Sequence, residues 1–214
     1  MKKLEKYIDK EEIWKTVPKI FHEIDGLLFH VTSEVGLKGI MNDKAIKPYD
    51  GTFPAAWSVH KNATTYGLKN NYVCLFNFQN CLIENKLKYP SQWHNVVLSH
   101  SPFNFLIELD YELLKDNLIL NEIAVEETKY SIKFIPYVEI WHKKPILLSS
   151  FKKIHIMANI LTNTNEDYFI RKLDIDDCLF DNIELYKQEA HIKYADEFKH
   201  YQILIKNLKR VNNL

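Results

Sequence analysis

The run SPFNFLIELDY, residues 101–111, sets Phe103, Phe105, Ile107 and Leu109 at alternate positions. A period of two puts all four on one face of a β-strand, and a face that apolar has to be covered by a second layer. LLFHVT, residues 27–32, has the same texture, with Leu27, Phe29 and Val31 on one face and Leu28, His30 and Thr32 on the other. IPYVEIWHK, residues 135–143, sets Tyr137, Glu139 and Trp141 against Val138, Ile140 and His142, and YVCLFNF, residues 72–78, reads as another strand. These strands do not alternate regularly with helices, so the expected class is α+β with a mainly antiparallel sheet.

Helical patterns flank the strands. Residues 4–24 carry Leu4, Ile8, Ile13, Trp14, Val17, Ile20 and Phe21 near helical spacing, divided at Pro18 and ended by Gly26. A short helix follows LLFHVT through Ile40 and Met41, and it contains Gly36 and Gly39. Each glycine costs about 1 kcal/mol relative to alanine inside a helix, which close packing of that helix would explain. The stretch from Ala45 to Trp57 reads as loop or short strands, followed by a short helix around 62–67. KKPILLSSFKKIHIM gives a turn, a Ser-capped helical turn and a closing strand, and from about Ile183 the chain reads as helix nearly to its end. There Tyr194, Phe198, Tyr201, Ile205 and Leu208 form a stripe expected to pack on the domain. The organisation expected is an N-terminal helical segment over 1–25, a main domain over 26–160 and a C-terminal helical extension over 161–214.

Charge and cysteine content exclude several classes. Lys+Arg and Asp+Glu are both 28 in 214 residues, so no global basic field draws the chain to nucleic acid. Arg171 and Arg210 are the only arginines, which argues against several guanidinium clamps on phosphate. Cys74, Cys81 and Cys178 form no CxxC pair, which speaks against a disulfide scaffold or zinc knuckle and for a reducing cytoplasm. No apolar run is long enough for a bilayer span and the N-terminus lacks a secretory pattern, so no membrane association is expected. The nine histidines include no HxH, HxxxH or HExxH, so no metal site is expected. GxSxG, GxxxxGK[ST] and GxGxxG are also absent. What remains is polar residues on strands whose faces are suited to burial: His30 with Thr32, and Glu139 between two aromatics. Buried polar groups need partners or a purpose.

Three blocks of the sequence, in order, resemble the ADP-ribosyltransferase fold. LFHVTSEVGLKGIMNDKAIKP is similar to its opening, a strand bearing His-x-Thr that runs into a helix and an I-x-P segment. AWSVHKNATTYG is similar to the second block, an aromatic-Ser strand end followed by Ala-x-x-Tyr, and VEIWHKKPILLSSFKKIHI to the third, a strand with a glutamate, a turn, I-x-L-S and a final strand. Together they cover about a third of the chain and resemble the His-Tyr-Glu branch, which includes diphtheria-type toxins and poly-ADP-ribose polymerases.

The resemblance implies a split, mainly antiparallel sheet core over 26–160 with NAD in a cleft between two small sheets. It implies that His30 bonds a ribose hydroxyl, that Thr32 supports the same strand end, and that Glu139 faces His30 across the cleft. Glu139 would bind the nicotinamide ribose 2′-hydroxyl and stabilise charge developing at the neighbouring carbon. Trp57, beside Ser58, and Tyr66 would hold the nicotinamide ring; tyrosine is usual where Trp57 stands, and the spacing to Tyr66 is short for the family. Acceptor choice would rest on a loop, NEIAVEETKYSIKFIP, that carries Glu126 and Glu127. The expected activity is transfer of ADP-ribose from NAD to a protein or nucleic acid, and the Asn-, Lys- and Ile-rich composition adds a toxin, defence or counter-defence setting in a bacterium or phage. The alternatives are an NAD glycohydrolase, an inactive domain of the same fold acting as a protein-binding module, and a nucleic-acid-binding protein that stacks bases on its aromatics.

Overall fold

The computed structural model of the chain describes residues 24–48, 65–79, 103–129, 132, 134–158, 170–176, 178–196 and 198–199. Trp57, Ser58, most of the helix expected over 4–24 and the end of the C-terminal stripe lie outside these residues. Gly26, at φ +76°, takes the left-handed conformation that glycine favours and leads into β1 (Leu28–Thr32). α1 (Glu34–Asp43) follows at once, with the Ser33 hydroxyl accepting from Gly36 N–H and Leu37 and Ile40 buried on its inner face.

The remaining elements are β2 (Ala45–Ile46), α2 (Tyr66–Asn70), β3 (Val73–Asn77), β4 (Phe103–Leu109), α3 (Tyr111–Leu114), β5 (Leu118–Ile119), α4 (Asn121–Thr128), β6 (Glu139–His142), β7 (Ile146–Leu147), β8 (Phe151–Ala158), β9 (Ile170–Leu173) and α5 (Leu179–Lys193). Among the described residues seven strands form one sheet in the order β5-β6-β3-β1-β4-β8-β9, and β2 pairs with β7 separately. Every pairing is antiparallel, so the fold is α+β around an antiparallel sheet. No helix among these residues is long and apolar enough to cross a membrane.

Phe103, Phe105, Ile107 and Leu109 share one face, as their alternation requires, and pack in one core with Leu28, Leu75 and Ile140. α1 covers this face through Leu37 and Ile40, and α5 through Leu179, Ile183 and Tyr186. The other face has a smaller cluster beneath α2 and α4, built from Tyr66, Ala124, Ile119 and Trp141.

Several elements differ from the sequence expectation. The helix expected around 62–67 runs from Tyr66 to Asn70, because the Thr65 hydroxyl caps it by accepting from Leu68 N–H. The stretch 121–128, expected as an acceptor loop, is a helix. Tyr137 stands outside β6 in a left-handed turn at φ +65°, so only Glu139 and Trp141 of its expected face lie in the strand. The turn over 148–150 has no side-chain cap. Residues 170–173, inside the segment expected to be helical, form β9 on the edge of β8. The sheet is also continuous where two small sheets were expected. Within its middle, β1 joins β3 through the pairs Leu28↔Asn77 and Phe29↔Phe76 only.

Candidate functional site

Glu139 opens β6 with its side chain 8% exposed. Its Oε2 accepts from Ile135 N–H at 2.7 Å and its Oε1 from the Cys74 thiol at 3.4 Å. Burial disfavours the charged form and outweighs both donors, pushing the carboxyl up from 4.5 to about 7; no cation among the described residues offsets this. The turn before the strand is what aims the carboxylate. Glu139 N–H returns a bond to Ile135 O at 3.2 Å, and the Asn121 amide at the start of α4 donates to both Ile135 O and Glu139 O. Between these anchors Tyr137 holds a backbone conformation that costs a non-glycine residue about 1–3 kcal/mol, the kind of strain found where a side chain is being presented.

His30 is half-buried on β1, and its Nδ1 lies 2.9 Å from Cys74 O. The ring reaches that carbonyl just past the last β1/β3 register pair, where the ladder has released it. A carbonyl only accepts, so Nδ1 carries the proton and Nε2 is left as an acceptor. Burial holds the imidazole below its ordinary value despite the bond to Cys74, which keeps it neutral at pH 7. Thr32, 7% exposed, packs against α1, where a Cβ on Gly36 would come 2.1 Å from Thr32 Oγ1. The close approach expected of these helical glycines is therefore present at Gly36.

Tyr66, 2% exposed, packs in the α2/α4 cluster with its ring centroid 4.4 Å from that of Trp141. Its hydroxyl donates to Glu127 Oε2 at 2.5 Å, and burial followed by that carboxylate pushes the phenol well above its usual range. Glu127, expected in an acceptor loop, instead ties α4 to α2.

Register decides which of these residues meet. Phe29 pairs with Phe76 and Phe76 with Glu139, so Glu139 lies on the face of Phe29, Cys74 and Trp141. His30, one residue along, points to the other face, towards the core covered by α1 and α5. His30 and Glu139 therefore do not face each other directly across an open cleft; they meet through Cys74, whose carbonyl takes one and whose thiol serves the other. Tyr66 belongs to the Glu139 face, Thr32 to the His30 face.

Cys74 and Asn121 have no sequence signal for these roles, because both act through a strand pairing and a turn that only the fold creates. Glu139's face carries a further, part-buried contact, His155 Nε2 to Glu108 Oε2 at 2.8 Å, on β8 and β4. Burial holds His155 below its ordinary value in spite of Glu108. Among the described residues no group of three His, Cys, Asp or Glu side chains is arranged to hold a metal ion. Comparison of the chain with protein-family models, curated proteins and solved structures finds no match.

Proposed function

We propose that the chain is an NAD-dependent ADP-ribosyltransferase acting on a macromolecule, with Glu139 as the carboxylate that answers the charge of the breaking bond. The observation that carries this reading is Glu139 itself, a buried carboxylate bonded by two neutral donors and offset by no cation among the described residues. Such a group is a poor structural choice, because its burial opposes its charge. It suits a substrate that brings a positive charge of its own.

NAD does so. Its nicotinamide ring is cationic, and as nicotinamide leaves with the bonding pair, positive charge develops on the ribose. A carboxylate fixed at lowered dielectric stabilises that transition state by several kcal/mol, whereas an amide cannot. A cation beside Glu139 also favours the ionised carboxylate that this chemistry needs. His30 keeps a neutral ring with Nε2 as an acceptor, but on the opposite face of the sheet, so the chemistry rests on Glu139. The three sequence blocks that resemble ADP-ribosyltransferases supply the reaction class. A toxin or defence factor is the biological setting that fits.

A second reading, an inactive domain of the same type that binds a protein partner, draws on two geometric features. His30 and Glu139 project from opposite faces, and both oxygens of Glu139 already have donors. Incubation with NAD labelled in its adenosine half, in the presence of bacterial lysate, separates the readings. Label in protein or nucleic acid that vanishes with Glu139→Gln supports transfer. Free labelled ADP-ribose alone indicates a glycohydrolase, and intact NAD indicates the binding module.

A further inference from the structure

The β3 strand runs between β1 and β6, so one of its residues touches both candidate residues at once. We infer that Cys74 is a positioning residue for Glu139, its thiol holding Oε1 from the neighbouring strand while its backbone carbonyl fixes the His30 ring on the opposite side. The inference rests on the reading of Glu139 as the working carboxylate.

Cys74 pairs with Trp141 across β3 and β6, which sets its side chain diagonally beside Glu139 on the same face. Half-buried, it presents its sulfur 3.4 Å from Oε1, within range for a thiol donor. Burial, and then the Glu139 charge, push the thiol well above its ordinary value, so it stays protonated and serves as a donor instead of a nucleophile. Ile135 N–H holds the second oxygen, so the two donors together fix the plane of the carboxyl group.

The charged and titratable groups around Glu139 are few. Cys74 faces it from β3, and Tyr66 on α2 with Glu127 on α4 lies beyond Trp141 on the same face. His30 lies behind β3. No lysine or arginine among the described residues contributes to its protonation. A change at Cys74 therefore reads out on Glu139 without a competing cation.

The test is an infrared pH titration of the Glu139 carboxyl in the full chain labelled with carbon-13 glutamate, the band being assigned by its loss in Glu139→Gln. Cys74→Ser keeps a donor of stronger character and should move the midpoint down, whereas Cys74→Val keeps water out, removes the donor and should move it up, each by about half a pH unit or more. A purely structural cysteine would leave the midpoint in place. Midpoints unchanged in Cys74→Ser, or shifted the same way in both variants, overturn the inference, and the Cys74→Ser result decides alone if Cys74→Val does not fold. The titration needs no turnover, so it is separate from the NAD reading. Nicotinamide release from NAD, followed against pH in the same proteins, should move its limb with the infrared midpoint, and absence of release in the wild type overturns the NAD reading while leaving the titration to judge Cys74.

Discussion

Glu139→Gln should make the protein more stable at neutral pH and leave it nearly unchanged in mild acid. The carboxyl sits at about 7 in the fold against an ordinary 4.5. The folded chain thus holds this proton more tightly than the unfolded chain does. The stability tied to the protonated group is complete below the unfolded value of 4.5 and is lost as pH rises through about 7. At about 1.4 kcal/mol for each pH unit, the loss is about 3 kcal/mol once Glu139 is fully ionised. Glutamine keeps an oxygen for Ile135 N–H and never ionises, so it escapes the loss. Urea unfolding of both proteins at a series of pH values measures the difference, which should be near zero at about pH 4.5 and approach about 3 kcal/mol by about pH 8. A difference that stays flat across that range, or grows towards acid, would refute the assignment of Glu139 as a buried carboxylate without a counter-charge. A gain in stability paired with a loss of activity is what a residue kept for chemistry gives.

Two further substitutions test the scaffold of the site. Gly36→Ala gains about 1 kcal/mol of helix preference, but its new Cβ would meet Thr32 Oγ1 at 2.1 Å and overpacking costs about 1–3 kcal/mol, so the variant should melt at a lower temperature. Adding Thr32→Ala should recover much of that loss, and a Gly36→Ala protein more stable than wild type contradicts the close contact. Asn121→Ala strips the donor from the part-buried Ile135 carbonyl and the buried Glu139 carbonyl and should cost about 1–3 kcal/mol in urea unfolding. It should also speed hydrogen exchange at Glu139 N–H, and unchanged exchange would show that Asn121 does not hold the turn.

The central strands are legible in the sequence because one or both of their faces are buried and their apolar residues recur with the pleat. Phe103 to Leu109 shows this most clearly, and Leu28 to Thr32 shares it. α4 is not legible, because Asn121, Ala124 and Thr128 are its buried residues while Ile123 is exposed, so no apolar stripe marks it. β9, with Arg171 and Lys172 at the centre of its sequence, has the charged texture of an edge strand and gains its place from pairing with β8 and from Leu173 in the core beside α5. The site divides in the same way. His30 and Glu139 are visible as polar residues in apolar runs, but their relation depends on the register of both strands with β3. A shift of one residue in either ladder would bring them to a common face, and no local pattern fixes that choice. Cys74 gains its role from the same pairing and is invisible without it.

Nicotinamide release from NAD by the wild-type protein and by Glu139→Gln, with NAD binding measured alongside by calorimetry, tests the central claim most directly. The account predicts release by the wild type, and a fall of roughly 100-fold or more in the variant with binding nearly intact. Release at the same rate in both proteins would remove Glu139 from the chemistry, and a wild type that neither binds NAD nor releases nicotinamide would contradict the account as a whole.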